Sequence, residues 1–288
     1  MSQETSQTDL ALRKACALVS ARARQALGAS LERTVPGVSL DGRGYTLSLE
    51  ENLLPGITRS EIEAEFTAGA GNELAGKMQA PWSSAVLAVN AFVPWRKSVS
   101  QLSLNGIQGF TSLDLEKQCP NGVSRIPPHL DVLLSHDSQK FGVESKCMEF
   151  LTVKRTEVSP RYCRLKDKGD RRAASKWFEA LANVHEFRLL DAYQLIKHYL
   201  GLAHEYPNSP LTLVYIFWEP ANADQEPVFA QHRRELIAFS LLVQGDVTCS
   251  FKWLPYAEHW RELQTLSDAP IWLGEHLKRL QARYLVNI

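Results

Sequence analysis

Cysteine is scarce in this sequence and has no regular spacing. The 288 residues contain five cysteines and no Cys-x-x-Cys pair. An odd, dispersed set is neither a disulfide framework nor a zinc motif, so it predicts a reduced, cytoplasmic protein. The eight histidines show no His-x-x-x-His spacing either, which argues further against a zinc site.

The chain also lacks a net charge and a long apolar segment. Its 32 basic residues balance its 32 acidic residues, so a nucleic-acid site would have to be a local patch. The longest apolar runs, such as 211–218, are too short to span a bilayer, and the first residues are polar, unlike a secretory signal. We therefore expect no membrane partner.

Hydrophobic periodicity predicts a mixed α/β architecture. A hairpin is expected where two apolar runs flank the polar turn 135–140, a buried strand at 211–218, and an alternating strand at 247–253. Helices are expected over 8–33, with Thr8 or Asp9 as cap, and over 58–79, 83–92, 173–204, 228–243 and the last thirty residues. This order favours an α/β domain with a mixed central sheet.

The hairpin carries residues that suit metal-assisted hydrolysis. Asp131 lies near the start of its first strand, and Glu144 and Lys146 lie two apart on the second, on the same face. Carboxylates are ligands for Mg²⁺, and a lysine beside them can orient a hydroxide or offset negative charge. About one Glu-x-Lys triplet is expected by chance, so its place inside an apolar strand gives it weight. The alternative is a surface salt bridge across a half-exposed sheet.

This pattern resembles the PD-(D/E)xK nuclease superfamily. Pro128 stands three residues before Asp131 instead of directly before it, a departure from the usual motif. The resemblance implies an α/β restriction-endonuclease-like core with a mixed central β-sheet flanked by helices. It also implies a single nuclease domain over 1–288, with an N-terminal helical extension at 1–57, the core at 58–255 and C-terminal helices at 256–288.

The resemblance implies further members of the site. The backbone carbonyl of Ser145 would join Asp131 and Glu144 as a metal ligand. An upstream helical acid is expected to be Glu73, with Glu63 and Glu65 as rivals. Members also carry a glutamine or basic residue on the helix after the core strands, which here suggests Gln194 and Lys197.

A second candidate motif contains the glycines at 71 and 76. The stretch 71–78 differs at one position from a P-loop, because Met78 stands where a metal-binding Ser or Thr is needed. No buried strand precedes it, so we interpret these glycines as a helix break and not as a nucleotide site.

Segment 154–176 is basic, with nine basic and three acidic residues. It follows the Lys146 strand, so it suits contacts with a DNA backbone. The alternative is a solvated loop. Asp114 and Glu116 are expected to be surface acids, and His129 and His136 polar edge residues. The residues assigned to DNA binding here are Arg161, Arg164, Lys166, Lys168, Arg171 and Arg172.

Together these features predict a nuclease that depends on Mg²⁺ (or Mn²⁺) and hydrolyses DNA phosphodiester bonds, as a restriction-type endonuclease would. DNA is the expected partner, and a homodimer is left open. Two alternatives remain at this point: an inactive nucleic-acid-binding module on the same fold, and a non-enzymatic α/β protein.

Overall fold

The computed structural model describes residues 2–68, 73–74 and 76–288. The helices are α1 Ser2–Thr34, α2 Glu63–Ala68, α3 Ser84–Phe92, α4 Cys163–Asp167, α5 Lys176–Glu179, α6 Ala192–Glu205, α7 Pro227–Val243, α8 Tyr256–Gln264 and α9 Leu273–Tyr284. The strands are β1 Ser112–Gln118, β2 His129–His136, β3 Gln139–Lys146, β4 Leu211–Phe217 and β5 Cys249–Pro255. Short 3-10 turns fill several of the connections between them.

The strands form one mixed sheet in the order β1-β2-β3-β4-β5. β1, β2 and β3 pair antiparallel, whereas β3, β4 and β5 pair parallel. The parallel connections pass through α6 and α7, as parallel pairing requires a crossover. The predicted mixed sheet flanked by helices is confirmed, but β1 was not predicted.

The expected hairpin is β2 and β3. Val132 pairs with Val143, and the strands are joined by a two-residue turn in which Asp137 adopts φ 44°. β4 is buried at every position, and β5 alternates between exposed and covered residues. Both strand predictions are confirmed within two residues.

Three helix predictions were inexact. α1 begins before residue 8, and the expected cap Asp9 lies inside it, where it pairs with Arg188 and Arg155. Within 58–79 the described residues hold only α2 and short turns, and the glycines at 69 and 71 lie outside the described residues. The expected helix 173–204 is divided, because Ser175 and Asp191 each cap a new helix through their side chains.

Close packing of α6 against the sheet places the site. A Cβ on Gly142 of β3 would lie 2.8 Å from Leu202 Cδ1, so a larger residue there would displace the Leu202 side chain. A Cβ on Gly201 of α6 would lie 2.4 Å from the Cys119 carbonyl oxygen. α6 therefore lies directly on β3, and its buried face meets that strand. None of the helices within the described ranges is both long enough and apolar enough to cross a membrane.

Candidate active site

Asp131 and Glu144 lie on adjacent strands at the centre of the sheet. The register that pairs Val132 with Val143 places Asp131 opposite Glu144. The backbone N–H of Ser145 donates a 2.7 Å hydrogen bond to Asp131 Oδ2, which fixes that carboxylate against β3. The two acids expected to form a pair are therefore brought together.

Glu144 is almost fully buried, with 2% of its surface exposed. Lys146 donates a hydrogen bond to Glu144 Oε1. Glu144 Oε2 lies 2.9 Å from His198 Nε2 but accepts no hydrogen bond of good geometry within the described structure. The three predicted residues Asp131, Glu144 and Lys146 thus form one cluster, with His198 of α6 beside it.

Burial and neighbouring charges shift the pKa values of Asp131 and Glu144 in opposite directions. Burial, and then repulsion by Glu144, raises the pKa of Asp131 well above its ordinary value. Burial also opposes ionisation of Glu144, but attraction to Lys146 and His198 outweighs it and lowers the pKa of Glu144. Burial disfavours the charged form of Lys146, yet its acidic neighbours outweigh that effect and raise the pKa of Lys146. An ionised Glu144 with a charged Lys146 is the favoured state.

Glu116 belongs to this cluster, although it was expected to be a surface acid. The pairing of Leu115 with Val132 and of Lys117 with Leu130 places Glu116 beside Asp131. Its side chain is only 13% exposed, and its backbone adopts φ 48°. Burial, then repulsion by Glu73 and Glu144, raises the pKa of Glu116 to about 7.

Glu73 lies in a turn and not on the expected helix. It pairs with Lys77 at 2.8 Å, and its charge is the strongest of those that raise the pKa of Glu116. Glu63 is half-exposed and pairs with Arg59. Glu65 accepts a 2.7 Å hydrogen bond from the Leu115 N–H and pairs with Arg96, so it is already occupied. Glu73 remains our choice among the three, as a prediction.

Helix α6 presents to the cluster a different residue from those expected. His198 is 1% exposed and contacts Glu144, whereas Gln194 and Lys197 are only half-buried. Lys197 lies over the ring of Tyr193 at 5.0 Å, and the Gln194 side chain makes no hydrogen bond to the rest of the described protein. The sequence offered a signal for His198, since it lies in the apolar stripe of α6.

Ser145 presents only its backbone to the cluster. Its hydroxyl lies 2.8 Å from the Tyr256 hydroxyl and 3.3 Å from the Ser84 carbonyl oxygen, which it contacts on the opposite face of the sheet. A ligand role for Ser145 would therefore be confined to its carbonyl group, as expected.

The basic segment divides into exposed and structural residues. Arg172 is 7% exposed, and it donates to the carbonyl oxygens of Asn121 and Leu200 and to the Asp170 carboxylate. Its assignment to DNA binding is corrected, because a buried guanidinium with these partners cannot reach a phosphate. Arg171 is exposed and donates to the Pro207 carbonyl oxygen. The exposed residues that have no side-chain partner in the described chain are Arg161, Arg164, Lys166 and Lys168.

The cluster fits a divalent cation by its chemistry. Asp131, Glu116 and Glu144 supply hard oxygen donors, and burial, followed by the charges of Glu73 and Glu144, raises the pKa of Glu116. Glu144 Oε2 is buried without a hydrogen bond. Across residues 2–68, 73–74 and 76–288, no three Asp, Glu, His or Cys side chains are arranged to hold a metal, so the fit rests on donor chemistry alone.

The comparisons with known proteins give one match. The model of the family described as REase-ARP, restriction endonuclease associating with ARP, matches residues 21–285. No curated protein and no solved structure matches the chain. The match spans nearly the whole chain and includes every strand and the acidic cluster. The chain therefore belongs to the REase-ARP family, and its mixed sheet with flanking helices is a restriction-endonuclease-like α/β fold.

Proposed function

We propose that the protein is a nuclease that depends on Mg²⁺ or Mn²⁺ and hydrolyses DNA phosphodiester bonds. The observation that carries this proposal is the meeting of Asp131, Glu144 and Lys146 on two neighbouring strands. Membership of a restriction-endonuclease-like family supports the reaction class.

In this proposal the acids of the cluster together hold the cation. Asp131 and Glu144 would hold the cation together with the Ser145 carbonyl, and Glu116 and Glu73 would complete the acidic set. The bound cation would lower the pKa of a water molecule and offset charge on the phosphate. Asp131 is held by the Ser145 N–H, so its position is fixed before any ligand arrives.

Lys146 is hydrogen-bonded to one oxygen of Glu144, and His198 Nε2 lies 2.9 Å from the other. The Lys146 ammonium has three donors, so it can retain Glu144 while another N–H meets a water molecule or a phosphate oxygen. We assign Lys146 the positioning of the attacking water. His198 contacts only Glu144 among these residues, so we assign it the orientation of that carboxylate. Gln194 would contact water or phosphate from the exposed side of α6.

DNA would approach along the exposed basic residues after β3. Arg161, Arg164, Lys166 and Lys168 are free to meet phosphates, and Lys197 extends this surface from α6. The family's description names an association with ARP, and we infer a protein partner for this chain as well. All five cysteines are free thiols, which suits the expected cytoplasmic location.

A cleavage assay tests the proposal. Purified protein is incubated with supercoiled plasmid and with linear DNA, with and without Mg²⁺ or Mn²⁺. Nicking or linearisation of the closed plasmid is expected only with metal, and it identifies an endonuclease. Asp131→Asn should abolish cleavage, whereas Asp114→Asn, an exposed acid on β1, should not. Equal cleavage by Asp131→Asn and the parent protein would contradict the site, and binding without cleavage would favour an inactive DNA-binding module.

A further inference from the structure

Two arginines on the outer side of α1 have no ionic partner. Arg13 and Arg24 are exposed and form no ion pair with any described residue. They are eleven residues apart, which is about three helical turns, so they lie on the same face roughly 16 Å apart. Two unpaired charges aligned along one helix face form a surface that suits a polyanion.

A groove runs beside Arg13 and Arg24. It has a volume of about 390 Å³ and lies between α1 and residues 151–153. Ser20 adds a hydroxyl to its floor. Residues 151–153, which form one wall of the groove, follow Lys146 by only a few positions along the chain.

An aromatic pair continues the surface beyond Arg24. The Arg24 guanidinium lies 5.3 Å from the ring centroid of Trp82, and Trp82 meets Tyr45 edge to face at 5.6 Å. Arg43 lies over the other ring, 4.8 Å from the centroid of Tyr45. Gly44 permits this packing, because its φ is 80° and a Cβ there would lie 3.3 Å from the Trp82 ring. Both aromatic residues remain partly exposed.

The aromatic pair is tied to the strand that carries Glu144 and Lys146. Ser84 follows Trp82 by two residues at the start of α3, and its carbonyl oxygen accepts the 3.3 Å hydrogen bond from the Ser145 hydroxyl. Trp82 therefore lies near the last residues of β3, on the face of the sheet opposite to Glu144 and Lys146. We name Arg13, Arg24, Trp82 and Tyr45 the arginine–aromatic track.

We propose that the arginine–aromatic track binds a single-stranded segment of the DNA substrate. Its phosphates follow Arg13 and Arg24, and an unpaired base stacks on Trp82 or Tyr45. This proposal rests on the proposed nuclease function and adds a substrate class to it: DNA with a single-stranded tail, gap or opened end. A basic groove combined with half-exposed aromatic rings is the arrangement that proteins use to hold single strands. In an intact duplex the base faces are stacked on one another and are not available to such rings.

The test measures binding without cleavage. Fluorescence anisotropy is recorded with a labelled single-stranded oligonucleotide and with its duplex, in EDTA and over a range of salt concentrations. Arg13→Gln combined with Arg24→Gln should lower the log–log salt slope for the single strand by about 1.4, or about 0.7 for each lost phosphate contact. The matched control is Lys252→Gln combined with Lys278→Gln, which removes the same charge from exposed sites elsewhere and should leave the slope unchanged.

The aromatic residues are tested separately. Trp82→Leu should weaken single-strand binding about 5- to 150-fold, as expected for one lost stacking contact, while Trp82→Phe should retain binding. Thermal melting of both variants checks the fold, and the exposed arginine variant tests the track even if Trp82→Leu unfolds. An unchanged slope in the arginine variant, or a loss confined to the duplex, overturns the proposal. Because the assay contains no metal, this result is separate from failure of the cleavage assay.

Discussion

Replacement of Glu116 by glutamine should stabilise the metal-free protein at alkaline pH. Glu116 is buried among acids, and its pKa is raised from 4.5 to about 7 in the fold. The folded state therefore holds the proton more tightly than the unfolded state does. The stabilisation that this proton gives the folded state is present in full below pH 4.5 and is lost as the pH rises through 7. At about 1.4 kcal/mol per pKa unit, the loss at pH 8 is about 3 kcal/mol.

The measurement is urea unfolding of the protein and Glu116→Gln in EDTA at pH 5 and pH 8. The variant should gain about 3 kcal/mol relative to the parent at pH 8 and only about 1 kcal/mol at pH 5. Asp114→Asn is the matched control, because it removes an exposed acid from the same strand and should show no such pH dependence. Equal differences at both pH values would refute the placement of Glu116 in the acidic cluster.

Metal binding gives the same experiment a second readout. A ligand that binds only the folded state stabilises it according to its concentration. Mg²⁺ at pH 8 should stabilise the parent protein and the Asp114→Asn control, and it should stabilise Glu116→Gln less. If Mg²⁺ stabilised the variant as much as the parent, Glu116 would not be a ligand, whatever its effect on pH dependence.

Four further variants test Lys146, the basic segment, Arg172 and His232. Lys146→Met should abolish cleavage in the plasmid assay but keep the stabilisation by Mg²⁺, and retained cleavage would exclude its assigned role. Arg164→Gln combined with Lys168→Gln should lower the salt slope of duplex binding by about 1.8. Arg172→Met should instead lower the urea midpoint, because it removes the buried donor to the Asn121 and Leu200 carbonyl oxygens. Burial lowers the pKa of His232 from 6.5 to about 3, so stability is lost as the pH falls below 6.5. His232→Phe should therefore lose about 2 kcal/mol less than the parent between pH 7.5 and pH 5, measured by urea unfolding, and an equal loss would contradict the burial of His232.

Local patterns were sufficient to predict the centre of the sheet. β4 is buried on both faces and its sequence is a continuous apolar run, while β2 and β3 flank a polar turn. These are periodicities of adjacent residues, so no long-range contact is needed to recognise them. The predicted hairpin placed Asp131 and Glu144 on adjacent strands, whereas the register that sets them opposite each other depends on the two-residue turn seen in the structure.

The remainder of the site depends on contacts between distant segments. Glu116 lies on an edge strand whose alternation of Leu113, Asp114 and Leu115 is typical of a half-exposed strand, which made its acids look like surface residues. It pairs with β2, and the strongest charge that raises its pKa belongs to Glu73, which lies 43 positions earlier in the chain. His198 was missed for a related reason. The apolar stripe of α6 predicts that His198 is buried, but helical periodicity does not say which residues of the sheet it meets.

Charge pairing elsewhere in the protein contrasts with that of Asp131 and Glu116. Arg233 binds Glu219 with two hydrogen bonds of 2.9 and 2.8 Å, and Arg172 neutralises Asp170. In both pairs a guanidinium compensates the buried or half-buried carboxylate. Asp131 and Glu116 have no Arg or Lys ion pair among the described residues, although both are covered by the fold. Lys146 acts on both acids but is hydrogen-bonded to Glu144, so a bound metal ion would add positive charge to the acidic cluster.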